Sequence, residues 1–191
     1  MRPSRSPTRR QLAVLDELEE LFLTDGFVSF TLDDLAARLR CSKTTLYALA
    51  PSKEQLAVKV VARFFKGAAE RIEQRIAGIT DARETVRTYL AGVAAELDRA
   101  SPVFMADVAA FEPARAVYEL NSEAAASRIR RFIADGVRQG VFREVHAGLI
   151  AELAAVLIES IQTGAVRTRT GVSDAEAFTA LGELLLDGVT Q

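Results

Sequence analysis

Apolar residues recur along this chain at helical spacing, and polar residues fill the positions between them. Within 31–39, four apolar residues fall at i, i+3, i+4 and i+7 on one face of a helix, namely Leu32, Leu35, Ala36 and Leu39. The residues that share one face of a longer stretch, 52–77, are Val61, Phe64, Phe65, Ala68, Ile72 and Ile76. The pattern therefore predicts amphipathic helices that bury their apolar faces together.

Start and stop signals divide this pattern into helices. Capping boxes, in which two residues satisfy each other's backbone N–H groups, are predicted to begin at Thr31, Ser52, Asp81 and Ser173. Glycines that can end a helix follow at positions 26, 78, 140 and 171. Together these signals predict about nine helices, over 8–25, 31–39, 43–49, 52–77, 82–99, 102–110, 113–139, 147–168 and 174–189.

Composition supports an all-α fold. Hydrophobic residues make up 49% of the 191 residues, glycine and proline are sparse, and no stretch resembles a β-strand bounded by turns. The first three predicted helices are short and closely linked, whereas the later ones are long. We therefore expect a small three-helix domain over 1–51 and a larger helical bundle over 52–191, joined by the fourth helix.

Several classes of protein are disfavoured. The most apolar stretch, 149–161, contains Glu152 and Glu159, so we expect no membrane span. The single cysteine suits a reducing cytoplasm, where we expect the protein to work. With one histidine, one cysteine and no glycine-rich phosphate loop, the sequence predicts no catalytic residues, no metal site, no cofactor and no enzyme. A buried pair of carboxylates remains an alternative.

The segment 31–49 has the pattern of a helix-turn-helix. Only Arg40, Cys41 and Ser42 separate its two short helices, and the second helix of such a motif enters the major groove of DNA. Leu46, Leu49 or Ala50 take the inward positions of this helix. The residues left pointing outward are Lys43, Thr44, Thr45 and Tyr47, whose ammonium and hydroxyl groups suit phosphates and base edges.

Lys53 begins the fourth helix at a position where the helix dipole disfavours a cation. The position is explained if Lys53 and the exposed N–H groups hold a phosphate together. The alternative for each of these polar residues is an ordinary solvated side chain, although their joint spacing argues against it.

The stretch from Gly26 to Leu56, GFVSFTLDDLAARLRCSKTTLYALAPSKEQL, resembles the DNA-binding domain of the TetR/AcrR family of bacterial transcriptional regulators. It has, in order, a Gly-Phe pair, a Thr that opens the second helix, a Leu-Ala pair, a Ser, Thr-Leu-Tyr and Pro-Ser-Lys-Glu. The specific match covers about the first 60 residues. It implies that 1–51 is a helix-turn-helix DNA-binding domain and that 52–191 binds an effector and forms dimers.

The resemblance also implies which residues contact DNA. Thr31, Thr45, Tyr47 and Lys53 match positions that contact the operator backbone. Lys43 and Thr44 match positions that face base edges, and contact with both backbone and bases is the alternative for Tyr47. The full set of predicted DNA-binding residues is Arg9, Arg10, Thr31, Arg40, Ser42, Lys43, Thr44, Thr45, Tyr47 and Lys53.

Two departures from the family pattern lie in this stretch. Arg40 replaces the usual turn glycine, so a positive φ there would cost on the order of 1 kcal/mol, which a phosphate contact could offset. Leu49 and Ala50 replace a common His-Phe, which removes one phosphate contact.

Net charge does not point to nucleic acid, but charge placement does. From residue 1 to 55, eight basic and eight acidic side chains balance. Most of the acids lie on the first helix, and the bases lie on the N-terminal arm and around the turn. One face of a neutral domain can therefore be positive.

The family resemblance implies a small-molecule effector site within the fourth to eighth helices. Its predicted lining is Phe64, Phe65, Tyr89, Phe104, Met105, Phe111, Tyr118 and Phe132, which suits a small, mainly apolar ligand. The alternative is that these aromatic residues simply form the core. The resemblance further implies a repressor that such a ligand releases from a palindromic operator, and a helical module without DNA binding is the alternative function.

The last two predicted helices are apolar on nearly every side, which predicts that a second copy covers them. The predicted homodimer interface consists of Leu149, Leu153, Val156, Leu157, Ile161, Phe178, Leu181 and Leu185. A deeply buried helix in a monomer is the alternative. Cys41 is expected to pack in the turn and His146 to begin the eighth helix, with redox or pH sensing as their alternatives.

Overall fold

The computed structural model describes residues 8–142 and 147–189, which form ten helices and no strand. The predicted all-α fold is confirmed. The helices are α1 (Arg9–Asp25), α2 (Leu32–Arg38), α3 (Lys43–Tyr47), α4 (Lys53–Ile76), α5 (Ala82–Leu97), α6 (Pro102–Ala110), α7 (Glu112–Arg138), α8 (Ala147–Gln162), α9 (Ala165–Thr170) and α10 (Asp174–Val189).

The predicted helix boundaries lie within two residues of the observed ones, with one exception. The helix predicted over 147–168 is two helices, α8 and α9, because Gly164 adopts a left-handed conformation with φ 74° and interrupts the helical backbone. The described residues therefore hold ten helices where about nine were predicted.

The helix ends follow the predicted capping chemistry. Thr31 and Asp34 form a reciprocal capping box at α2, and Ser173 and Glu176 form one at α10. At Ser52 and Asp81 the side chain accepts a backbone N–H three residues later. All four glycines predicted to end helices, at 26, 78, 140 and 171, have positive φ.

The chain folds into two compact units. Unit 1 contains the described residues up to Phe64 together with Ala100–Val117, and unit 2 contains Phe65–Arg99 and the described residues from Tyr118 onward. The predicted division between residues 51 and 52 concerns function and stays a prediction. As a compact body, however, unit 1 also includes α6 and the beginning of α7.

The core of unit 1 is built around aromatic rings. Phe27 lies after α1, and its ring centroid is 5.7 Å from that of Phe22, 6.2 Å from that of Phe104 and 6.0 Å from that of Phe111. Phe104 also meets Phe64 of α4 edge-to-face at 5.8 Å. These rings join α1, α4, α6 and Phe111, which lies between α6 and α7, into one apolar cluster.

A carboxylate fixes the turn that follows α1. The Oδ2 atom of Asp107 on α6 accepts hydrogen bonds from the backbone N–H groups of Phe27 at 2.6 Å and Val28 at 2.8 Å. Gly26, with φ 75°, turns the chain here, and a Cβ at this position would lie 2.5 Å from Asp107 Oδ2. The Ser101 N–H also donates to the Leu23 carbonyl at 2.8 Å. The segment 100–117 is therefore bound to α1 by backbone hydrogen bonds as well as by rings.

Unit 2 has a core of its own, in which α5 packs along α10. Small residues permit close approach, because a Cβ on Gly92 would lie 3.1 Å from Ile72 and one on Gly182 would lie 3.4 Å from Leu90. Phe142, Ile158 and Phe178 are among the buried residues of this core, which are drawn from α4, α5, α7, α8 and α10 and from the end of the segment before residue 143.

A buried carboxylate connects α4 to the end of α5. Glu96 is 4% exposed and accepts two hydrogen bonds from the Arg71 guanidinium, at 2.8 and 2.7 Å, and one from Arg99 at 2.8 Å. The Arg71 hydrogen bond, opposed by burial and aided by Arg99, lowers the pKa of Glu96 from 4.5. The ionised carboxylate is therefore the form that stabilises unit 2.

We predict that Glu96→Gln lowers the free energy of unfolding at pH 7 by about 2 kcal/mol, since it replaces charge-assisted hydrogen bonds with weaker neutral ones. The contribution of Glu96 is complete above its ordinary pKa of 4.5 and is lost as the pH falls through the lower folded-state pKa. Urea unfolding of both proteins at a series of pH values measures the difference, which should disappear in acid.

The matched control is Glu84→Gln on α5, whose exposed ion pair with Arg87 should contribute less than about 1 kcal/mol. An equal loss in both variants, or a loss at Glu96 that persists at low pH, would contradict the assigned role of Glu96.

Candidate nucleic-acid interface

Helices α2 and α3 form the predicted helix-turn-helix. Leu35 of α2 and Leu46 of α3 are completely buried, and Leu39 is buried in the turn between them. The Cys41 N–H donates to the Ala36 carbonyl at 3.0 Å, and the Ser42 hydroxyl caps α3 by accepting the Thr45 N–H at 3.2 Å. Apolar contacts and caps thus hold the short α3 in place with one side turned outward.

Arg40 has a positive φ, which the sequence had left open. Its φ is 49°, the left-handed region in which a side chain costs roughly 1–2 kcal/mol. The side chain is exposed and has no ion pair with another described residue. The strain therefore accompanies a cation that remains available at the turn.

The outward side of α3 largely agrees with the prediction. Lys43, Thr44 and Tyr47 are exposed, and Tyr47 is 51% accessible although it is a large aromatic residue. Thr45 differs because it is half-buried and its hydroxyl lies 3.0 Å from that of Ser42. Lys43, Thr44 and Tyr47 therefore form the most accessible part of the helix.

Carboxylates pair with two of the cations near the turn. Lys43 Nζ lies 2.6 Å from Asp33 Oδ1, and this hydrogen bond raises the pKa of Lys43. The guanidinium of Arg38 donates to Asp25 at 2.9 Å and lies over the ring of Phe30. Both ion pairs are exposed, so a phosphate can compete with the carboxylate in each.

Other predicted DNA-binding residues also have local partners. The Asp34 carboxylate accepts hydrogen bonds from the Thr31 hydroxyl at 2.6 Å and from the Thr31 backbone N–H at 2.8 Å, and these two bonds lower the pKa of Asp34. The Thr31 hydroxyl also accepts the Asp34 N–H at 3.2 Å. Lys53 Nζ donates to the Val28 carbonyl at 2.7 Å, which ties α4 to the loop after α1. Two of the three N–H donors of an ammonium group remain for another acceptor.

Arg9 and Arg10 are exposed in the first turn of α1. Thr8 forms a capping box with Gln11 there, which was not predicted from the sequence. Burial raises the pKa of the Cys41 thiol, and the positive charge of Arg10 acts in the opposite direction. Arg9, Arg10 and Arg40 are all exposed cations of unit 1. His146 lies outside the described residues.

The predicted effector-site residues form aromatic contacts within each unit. In unit 1, Phe64 and Phe104 pack together, Met105 is buried and Phe111 packs on Phe27. In unit 2, Phe65 stacks on Tyr118 at 5.1 Å and Tyr89 meets Phe132 at 5.2 Å. The rings act as core residues in both units, and a ligand role for them stays a prediction.

The predicted dimer interface divides into two groups. On α8, the exposed residues are Leu149, Leu153, Val156 and Leu157, at 40–58% accessibility. The other four predicted residues are buried in the core of unit 2, and a place for them in an interface stays a prediction: Ile161, Phe178, Leu181 and Leu185. Helical periodicity placed them on an apolar face but could not distinguish a face turned inward from one turned outward. Leu184 of α10 is exposed and was not among the predicted interface residues.

Metal sites and membrane spans are the two other features that bear on function. Among the described residues, no group of three or more His, Cys, Asp or Glu side chains is placed to hold a metal ion. None of the helices within those residues combines the length and the apolar character needed to cross a membrane.

Comparisons with known proteins agree with this architecture. Residues 14–60 match the family described as bacterial regulatory proteins, tetR family, which confirms the resemblance inferred from the sequence. A comparison with curated proteins finds no match. Members of the tetR family are transcriptional regulators, not enzymes.

Solved structures share the fold over nearly the whole chain. A transcriptional regulator described from Saccharomonospora viridis, in complex with choline, is 21% identical with a TM-score of 0.74, over 97% of this chain and 100% of its own. PfmR, a TetR family regulator from Thermus thermophilus, is 23% identical with a TM-score of 0.64, over 93% and 99%. The fatty acid degradation regulator FadR from Bacillus halodurans is 14% identical with a TM-score of 0.68, over 95% and 97%.

We predict that Asp33→Asn strengthens DNA binding roughly threefold to tenfold at moderate salt, because it removes a negative charge and the ion-pair partner of Lys43. The measurement is a titration of fluorescent duplex DNA at several salt concentrations. The matched control is Asp135→Asn, which breaks the exposed Arg138 ion pair on α7 and should leave DNA affinity unchanged. Weaker binding by Asp33→Asn would show that Asp33 positions Lys43 rather than competes for it.

Proposed function

Because this chain is a DNA-binding transcriptional regulator of the TetR/AcrR family, we propose that it is a repressor which a small, mainly apolar ligand releases from a palindromic operator. Regulators of this family bind operator DNA and small molecules and form dimers. The roles of individual residues in these steps are part of the proposal.

The observation that carries the DNA-binding role is the exposed side of α3. Lys43, Thr44 and Tyr47 project from a helix that Leu46 anchors from beneath, so a rigid helix presents an ammonium, a hydroxyl and a phenol to the groove. Lys43 reaches a phosphate or guanine acceptors, Thr44 bonds a base or phosphate, and Tyr47 contacts the backbone.

The surrounding cations hold the DNA backbone in this proposal. Arg40 reaches a phosphate from the turn, which offsets the strain of its positive φ, and Arg9 and Arg10 contact the duplex from the beginning of α1. Thr31, Ser42, Thr45 and Lys53 have local hydrogen bonds that position the two helices, so their phosphate contacts are secondary.

The homodimer forms through the exposed apolar stripe of α8. Leu149, Leu153, Val156 and Leu157 recur at intervals of one and two helical turns, and Leu184 of α10 is exposed as well. A second copy that covers this stripe removes apolar surface from water, at about 25 cal/mol for each Å² buried. Such a dimer presents two α3 helices to half-sites about one helical turn apart.

The effector in this proposal is small and binds the arrangement that cannot bind the operator, which shifts the population away from DNA. The neighbour from Saccharomonospora viridis, bound to choline, supports small-molecule binding by this fold. In this chain the buried aromatic pairs of unit 2, Phe65 with Tyr118 and Tyr89 with Phe132, supply apolar contact surface.

We predict that Lys43→Ala and Tyr47→Ala each weaken operator binding about tenfold or more, and that Lys43→Ala also reduces the salt dependence by about one counterion for each subunit. DNA fragments retained by the purified protein are sequenced first, and the recovered operator is then titrated with each variant. Lys66→Ala, an exposed lysine paired with Glu70 on α4, is the control.

Unchanged affinity in both α3 variants would refute the DNA-reading role of this helix. It would favour the alternative function, a helical module that binds ligands or proteins without binding DNA.

We predict that Leu153→Glu converts the protein toward monomers, raising the dimer dissociation constant about 100-fold, because a carboxylate would be buried without a partner in the apolar stripe. Analytical ultracentrifugation measures the association, and operator affinity should fall with it. Leu120→Glu introduces the same change at an exposed leucine of α7 and should leave the dimer intact. If only Leu120→Glu dissociates the dimer, the interface lies on α7.

A further inference from the structure

A lysine of α4 holds the backbone at the end of α3. The Lys59 ammonium Nζ donates to the Leu49 carbonyl oxygen at 2.8 Å, a partly buried hydrogen bond between residues ten positions apart in the chain. Leu49 lies in the turn just after α3, whose last residue is Tyr47. The contact therefore connects the end of the short helix-turn-helix element α3 directly to the long helix that follows it.

Both ends of this hydrogen bond are anchored in the core of unit 1. On α4, Leu56 and Val60 are each 1% exposed, so the backbone that carries Lys59 is fixed by its buried neighbours. At the other end, the buried side chains of Leu49 and Ala50 fix the turn after α3. A hydrogen bond between two anchored segments sets the distance between them.

Helix α3 is too short to be stable by itself. It has five residues, Lys43–Tyr47, and isolated helices shorter than about 12 residues are only marginally stable in water. Beyond it the chain turns back, because the N–H groups of Leu49 and Ala50 both donate to the Leu46 carbonyl, at 2.9 and 3.1 Å. Carbonyl groups at the carboxyl end of a helix carry a partial negative charge, so a cationic donor such as Lys59 suits this position.

We propose that Lys59 is a positioning residue for DNA reading, because its hydrogen bond to the Leu49 carbonyl fixes the direction in which the exposed side of α3 faces the groove. This inference rests on the proposed function, since it concerns the same DNA-reading side of α3. Lys59 acts through the Leu49 carbonyl and not through a phosphate. The residues that it positions are Lys43, Thr44 and Tyr47.

Two other roles of Lys59 lead to different expectations. If the ammonium bound a phosphate, its loss would weaken binding to every DNA sequence and reduce the slope of log affinity against log salt concentration by about one for each subunit. If the hydrogen bond only stabilised the fold, its loss would lower the melting temperature and leave the preference for the operator unchanged. A positioning role predicts a smaller preference for the operator at an unchanged salt slope, because contacts with base edges carry the sequence information.

The test compares the full-length wild type with Lys59→Met, which keeps a long side chain but removes the ammonium. The recovered operator and a random duplex of the same length are titrated at several salt concentrations, well below the melting temperature. We expect operator affinity to fall about tenfold, the effect of losing one hydrogen bond to a charged group, and random-duplex affinity to fall less than about threefold. Lys59→Arg should recover most of the operator affinity, since a guanidinium also donates to a carbonyl.

A second measurement follows the end of α3 in the free protein. Hydrogen exchange at the N–H groups of Leu49 and Ala50 should become roughly tenfold faster in Lys59→Met, whereas the N–H groups of α1 should keep their rates. The matched control is Lys66→Met, which removes an exposed lysine of the same helix that is paired with Glu70. It should change neither the exchange rates at the end of α3 nor the preference for the operator.

Four results would overturn the inference: an unchanged operator preference in Lys59→Met, an equal loss for both duplexes with a lower salt slope, a defect in Lys59→Arg as large as that in Lys59→Met, or unchanged exchange at the end of α3. Failure of the proposed function is seen separately. If the wild type prefers no DNA sequence, the DNA-reading role of α3 is refuted, and the exchange measurement still reports on the contact. If Lys43→Ala weakens operator binding and Lys59→Met does not, only this inference is refuted.

Discussion

Phe27 is the residue on which the geometry of unit 1 depends. Its ring contacts Phe22, Phe104 and Phe111, and its backbone N–H donates to the Asp107 carboxylate. The left-handed turn at Gly26 directs the chain so that both contacts form together. Helix α2 begins only five residues after Phe27, so the position of the helix-turn-helix is set by an aromatic cluster and one carboxylate that lie behind it. Buried apolar contacts stabilise the unit, and the hydrogen bonds to Asp107 fix the direction in which the chain leaves α1.

On the outward side of the same unit, two cations lie next to carboxylates. Lys43 is paired with Asp33 and Arg38 with Asp25, while Lys53 bonds a backbone carbonyl. In the proposed function, DNA binding is an exchange of partners in which phosphates replace these exposed carboxylates. Such an exchange lowers the binding free energy gained from each cation, because an ion pair within the protein is lost. It also disfavours other polyanions, because only a correctly placed phosphate compensates for the lost ion pair.

The sequence was sufficient for features set by local chemistry. The capping box at Thr31, the left-handed glycines and the buried Leu35 and Leu46 follow from short-range patterns. Contacts between distant segments left no such signal, as with Asp107, which lies 80 residues from Phe27. Periodicity also could not tell the core residues Ile161, Phe178, Leu181 and Leu185 from the exposed stripe of α8, because both are equally apolar. The break between α8 and α9 was missed because apolar residues continue past Gly164.

The inclusion of Ala100–Val117 in unit 1 has an evolutionary side. A graft of the first 64 residues alone would leave the ring of Phe27 without Phe104 and Phe111. It would also leave the backbone N–H groups of Phe27 and Val28 without the Asp107 carboxylate. A chimera that keeps these contacts must therefore take residues Ala100–Val117 from the same protein as the first 64 residues. A substitution at Phe104 or Asp107 removes a contact with Phe27, so we expect these two stretches to change together in evolution.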